Sequence, residues 1–336
     1  MSVQPPHLTA GRLVTATAVL ACLLAATLVA TSLVGPVHVS LARALAGPES
    51  TDAVILFRTR LPRVLLGAVV GGSLAAAGAA LQALLGNPLA CPHLLGISGG
   101  AAVAGVLALV AGADAVSPVV PLAAFAGALG AIAIVALGAR SGGRTTPHAV
   151  LLVGVVFNAL AAAALMLVNS LASYTQAQGV LFWIMGSLST QSYGLIAGAA
   201  LYSLVGLAWL GLHAQDLNLL AAGEEGAQQL GVEVERTRRA VFLAAALLVG
   251  AAVSVSGMIG FVGLIVPHLL RLVLGPDQRL LLPASFLGGA IFLAWADTLA
   301  RTVLGPVELP VGVVTALTGG PFFLYLLRRD LRRALA

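Results

Sequence analysis

Residues 64–139 run for seventy-six positions with one charge, Asp114. Water cannot host so long an apolar stretch, and a bilayer asks for such stretches, at about 20 residues per helical span. The rest of the chain follows suit. Sixty per cent of its 336 residues are hydrophobic and 9% are charged, against about a quarter charged in soluble domains. Apolar runs bounded by charge, proline or glycine fall at 13–34, 62–85, 93–112, 118–139, 148–170, 192–212, 239–256, 258–274, 283–304 and 312–327. The expected fold is an all-α integral membrane protein of about ten transmembrane helices, forming a single polytopic domain over 1–336. The first run exceeds the roughly 7–15 apolar residues of a signal-peptide core, so it reads as a retained span.

Ten spans place both termini on one side, and arginine decides which. All seventeen basic residues are arginines. With the N-terminus inside, twelve lie on the cytoplasmic face, among them Arg12, Arg140, Arg238, Arg271 and those of the "RRDLRRALA" tail. Five lie outside: Arg43, Arg58, Arg60, Arg63 and Arg301. The positive-inside bias favours N-in and C-in. The external five then run against the bias. Either they snorkel to lipid phosphates, or they form a docking surface for an acidic partner. Asp297 lies four residues before Arg301, so the two can pair on one helix face.

The absence of lysine excludes a P-loop nucleotide site, which needs one to reach the phosphates. A net charge of +5 does not imply nucleic acid, because the arginines flank apolar runs and form no basic groove. Cys22 and Cys91 match neither a metal site nor a disulfide framework. "GISG" at 96–99 resembles the GxSG of intramembrane serine proteases, with Ser98 as nucleophile and His268 as base, a remote alternative resting on three specified positions. A stand-alone secondary transporter or channel is the other alternative. Coupling through a buried acid is poorly served, since Asp297 is the only carboxylate well inside a span.

One connection is long. Residues 213–238, "HAQDLNLLAAGEEGAQQLGVEVERTR", read as two short amphipathic helices broken at Gly223. Leu217, Leu219, Leu220, Ala227 and Leu230 suit insertion into a groove on a cytoplasmic subunit. Gly67–Gly71, Gly96–Gly100 and Gly194–Gly198 are GxxxG pairs that permit close helix approach. "GNPLACPHLLGISGG" at 86–100 is irregular backbone at a membrane edge.

"RLPRVLLGAVVGGSLAAAGAALQALLGNPLACPHLLGISGG" at 60–100 resembles the signature region of the FecCD-type permeases, membrane subunits of ABC importers for ferric siderophores, haem and cobalamin. "GMIGFVGLIVPHLLRLVLGPDQRLLLPAS" at 257–285 and "ADTLARTVLGPVELPVGVVTALTGGPFFLYLLRR" at 296–329 resemble its other strong blocks. The resemblance implies the type II importer permease architecture in the cytoplasmic (inner) membrane of a prokaryote. It implies a second permease copy, two cytoplasmic ATPase subunits, and a periplasmic or lipoprotein substrate-binding protein. No cofactor is expected on this chain, with ATP and Mg held by the ATPase partner.

Residue by residue, the resemblance places binding-protein docking on Arg60, Arg63 and Arg301. It places ATPase coupling on Leu217, Leu220, Gly223, Glu224, Glu225, Gly226 and Leu230, and a translocation path beside Asn87, Ser98 and Asn158. The family's NPLA-D/E-P stretch here reads "NPLACP", with Cys91 for the acid. No metal-ligand set is expected, and a ferric siderophore is the first-choice cargo, ahead of haem or cobalamin.

Overall fold

The computed structural model describes residues 9–113, 117–141, 144–188, 192–305 and 307–334; Asp114 lies outside them. The chain opens with α1 (Ala10–Leu33), the short α2 (Leu41–Ala46) and α3 (Thr51–Ala53), a π-helical stretch (Val54–Arg60) and α4 (Leu61–Leu84). Next come α5 (Ile97–Val110), α6 (Val119–Gly138), a two-residue hairpin of β1 (Arg140–Ser141) and β2 (Arg144–Thr145), α7 (Pro147–Leu171) and α8 (Tyr174–Met185). Then follow α9 (Tyr193–Leu212), α10 (Ala214–Ala222), α11 (Glu224–Gln229), α12 (Val234–Ser256), α13 (Val262–Leu274), α14 (Gln278–Thr302) and α15 (Val311–Ala334).

Among the described residues seven helical segments are long and apolar enough to cross a bilayer, and three shorter apolar helices accompany them, Ile97–Val110, Val262–Leu274 and Val311–Tyr325. Each of the ten corresponds to one expected run. Helices α12 and α14 begin ahead of their expected runs, at Val234 and Gln278, and the starts of α4, α5 and α13 differ for backbone reasons. Helix runs unbroken from Thr51 through Leu84, because the π-helical stretch re-registers the hydrogen bonds ahead of Pro62. Leu61 N–H reaches back five residues to Leu56, so the proline with no N–H enters without a break. Residues 93–96 are turn, not helix, since Gly96 takes φ +79° under the ring of Phe157. Residues 258–261 are irregular, ending at Phe261 with φ +67°. A non-glycine residue there costs about 1–2 kcal/mol. The Phe261 ring is held over Gly319, where a methyl group would collide with it.

Helix α8 has no counterpart among the ten expected runs. It is too short to span, and its first turns carry Tyr174, Gln176 and Gln178, which cut the apolar run.

α4 is the axis of the molecule, with nearly nine-tenths of its apolar window buried and α14, α12 and α13 around it. In lipid, helices gain nothing by hiding apolar surface from one another, so close packing of small residues must hold them. A methyl group on Gly71 would overlap the Gly289 carbonyl, one on Gly78 the Gly263 carbonyl, and one on Gly100 would collide with Ala131 and with Gly127. Gly67–Gly71 and Gly96–Gly100 therefore lie in tight contacts. Gly194–Gly198 does not, and borders an open apolar groove with Phe125 and Tyr202.

A second junction escapes sequence inspection. Ser187 N–H donates to Ser256 O at 2.9 Å, and Gly312 N–H to Gly186 O at 3.4 Å. Side chains at Gly186, Gly257 or Gly312 would strike the carbonyls of Met258, Trp183 and Met185. The ends of α8 and α12 and the start of α15 meet there through bare backbone.

Candidate functional site

Three places answer to the sequence-derived residues. The first joins the N-terminal end of α4 to the C-terminal end of α14. Asp297 is buried on α14, and Arg63 grips it with Nε at 3.1 Å from each carboxylate oxygen and Nη2 at 2.9 Å from Oδ1. Arg301 lies one turn on, its Nε 3.0 Å from Asp297 Oδ2, the expected i,i+4 pair. The remaining Arg63 nitrogen, Nη1, meets Glu308 Oε2 at 2.7 Å. Neither the reach of Arg63 to Asp297 nor Glu308 was signalled by sequence, because both contacts cross more than 230 residues.

An exposed cluster of three arginines is corrected by this geometry. Arg60 and Arg301 are buried. Arg60 Nη1 donates to Leu33 O at 2.9 Å and its Nη2 to Val37 O. Arg301 Nη2 donates to Thr31 O at 3.2 Å and to Thr298 Oγ1 at 3.1 Å. The physical reason is the end of α1. Its last carbonyls have no intrahelical donors and carry the negative pole of the helix, so two guanidinium groups fold onto them. Arg63 keeps a side-chain exposure of 13%, and Glu308 one of 50%. Arg58 is exposed, and Arg43 is exposed while paired with Asp52 at 2.6 Å.

The second place is the α10–α11 pair at the opposite end. It breaks at Gly223, whose φ is +139°, as the sequence indicated. Leu217 and Leu220, however, are buried in this chain's own core. They turn inward because α10 packs along α4 and α14, so insertion of these two into another subunit is corrected. Exposed instead are Ala221, Ala222, Gly223, Glu224, Glu225 and Gly226, and Leu230 is 70% exposed. Glu224 pairs with Arg238 of α12 at 3.0 Å, fixing α11.

Asn218, not singled out by sequence, pins α10 to the head of α14. Its Nδ2 donates to Asp277 Oδ1 at 2.9 Å, and its Oδ1 accepts from Gln278 N–H at 2.7 Å. Asp277 also takes Arg279 Nη2 at 2.6 Å. Its carboxyl is lowered from 3.8 to about 2, first by the Arg279 hydrogen bond, with Asn218 adding to it against partial burial.

The third place is the 86–100 segment. Asn87 Oδ1 accepts from Leu89 N–H at 2.9 Å, closing a turn. Asn158 on α7 is half-buried and donates to His93 O. Ser98 is buried beside a small pocket shared with Leu74, Cys91, Pro92 and Phe261. His268, the base in the protease alternative, does not line that pocket; its ring sits edge-on to Phe322 with centroids 6.3 Å apart.

The FecCD transport family matches residues 16–329 of this chain. The cobalamin import system permease protein BtuC of Halobacterium salinarum is 47% identical over 292 residues, 86% of this chain and 77% of that protein. The hemin transport system permease protein HmuU of Yersinia pestis is 41% identical over 299 residues, 86% and 88% of the two chains. A solved chain from an inward-facing metal-chelate type ABC transporter superposes with a TM-score of 0.82 at 30% identity, covering 94% of this chain and 99% of its own.

Proposed function

This chain belongs to the FecCD transport family, and from that premise we propose how its two ends and its cargo are used. It is a membrane-spanning ABC importer permease, and ATP hydrolysis lies in a separate subunit. On this reading two copies pair around a central path. The substrate-binding protein docks at the Arg63 end, and two ATPase subunits, holding ATP and Mg, seat against Ala221–Gly226 and Leu230. Closure of the ATPases pushes on α10. Leu217 and Leu220 carry the push to the core, and Asn218 carries it to α14. Arg60 and Arg301 then serve docking by holding the α1 end and Asp297 in place, and Arg63 faces the partner. Asn158, Asn87 and Ser98 border the path at the 86–100 segment.

For cargo we place cobalamin first, then haem, then the ferric siderophore expected from sequence. Support comes from the names of relatives at 47% and 41% identity. The observation that carries the importer reading is the family match along nearly the whole chain.

Co-purification of the tagged chain from its native membrane, with mass spectrometry of the eluate, tests it. The expected result is an ATPase subunit and a binding protein, with the latter's bound chelate naming the cargo. A chain that elutes alone and still moves solute in liposomes would overturn the proposal.

A further inference from the structure

We propose that Glu308 is an intramolecular stand-in for the partner's carboxylate, occupying Arg63 until the substrate-binding protein displaces it. The inference rests on the docking reading above and concerns how that surface is regulated. Arg63 divides its donors. Nε and Nη2 are spent on buried Asp297, which they hold through both carboxylate oxygens. Nη1 is the nitrogen not engaged with Asp297, and the half-exposed Glu308 closes it at 2.7 Å.

Glu308 is unlike Asp297 in every respect that matters for exchange. It lies on the connection between α14 and α15, half its side chain is exposed, and no other hydrogen bond holds its carboxylate among the described residues. The Glu308 half of the pair is open to water, which screens the contact and lets that carboxylate leave without desolvation. A carboxylate on an incoming acidic lobe therefore trades evenly with Glu308 for Nη1. The freed Glu308 then stays hydrated at the rim. With Arg60 and Arg301 turned inward, this exchange gives a partner access to a guanidinium already held in position by Asp297. The same pair keeps Arg63 itself from offering an unmatched positive charge to other acidic proteins.

The test uses the whole importer in nanodiscs and the binding protein recovered with it, following association rates at low and at physiological salt. Glu308→Gln should raise the association rate about three- to tenfold, since charges at such rims act mainly on encounter. Glu308→Asp keeps the charge but shortens the arm, and should raise the rate as well. In an Arg63→Gln background, where Asp297 keeps Arg301, the Glu308→Gln gain should vanish. A gain that persists without Arg63, or is seen with Gln and not with Asp, would show only a general field effect and overturn the proposal. No gain with either variant would also overturn it. If Arg63→Gln itself leaves association unchanged, the docking reading fails first, and the stand-in role falls with it.

Discussion

Asp297 is the residue on which the outer end of the membrane domain turns. It neutralises the buried Arg301 and the largely buried Arg63, and through Arg301 it fixes the donor that satisfies Thr31 at the end of α1. Removing one partner from such a set leaves charge buried and uncompensated, a loss of about 3–5 kcal/mol. Asp297→Ala should therefore lower the melting temperature of the detergent-solubilised protein sharply. Arg58→Gln, at an exposed position, should stay within about 0.5 kcal/mol of the parent. Equal melting of the two variants would refute the central place given to Asp297. The Asp297–Arg301 pair was legible in sequence because it follows helical spacing. The inward turn of Arg60 was not, because the carbonyls it serves lie 23 and 27 residues earlier and no local pattern registers an unfilled helix end.

At the scale of elements, α10 is held from both sides, by burial of Leu217 and Leu220 and by the Asn218 pin. Burial fixes its position; the pin ties it to the head of α14. Asn218→Ala should leave the ATPase subunit bound at full stoichiometry, while cargo moved per ATP hydrolysed falls about fivefold or more, in line with couplings of 1–3 kcal/mol between sites. Unchanged stoichiometry of transport would remove Asn218 from the coupling route. The pin also has a defined response to acid. Asp277 is depressed in the folded protein, from 3.8 to about 2, so its contribution is complete above the unfolded value and is lost as pH falls through the folded one. Hydrogen-exchange protection of α10, corrected for intrinsic rate, should be flat from neutrality to about pH 4 and decline only below it. The glycine break at 223 was readable because one residue type carries it. Which leucines faced inward was not, because α10 offers apolar side chains at 217, 219 and 220, and only the packing against α4 and α14 chooses among them.

For the whole molecule, orientation is the property that gives every site its meaning. The structure sorts charge to two ends. Arg12, which donates to Leu274 O at 2.9 Å, lies at the end that holds α13's last turn, and the Asn218–Asp277 contact ties α10 to the adjacent start of α14. Arg43, Arg58, Arg63 and Arg301 lie at the other, where α4 begins and α14 finishes. Twelve arginines against five favour one direction by the positive-inside bias. The count of spans was available from sequence, because apolar length survives any packing. The continuous Thr51–Leu84 helix was not, because Pro62 signals a break that the π-helical turn repairs. Single cysteines test the direction. In a background lacking Cys22 and Cys91, Gln229→Cys on α11 should react with a membrane-impermeant maleimide only from the cytoplasmic face of vesicles. Ala42→Cys on α2 should react only from the opposite face. Both positions are exposed, so neither label depends on unfolding. Reaction of both from one side would mean that α11 and the Arg63 end share a compartment. A binding protein and an ATPase could not then be served by opposite ends of this chain, and the importer mechanism would have to be rebuilt from the topology upward.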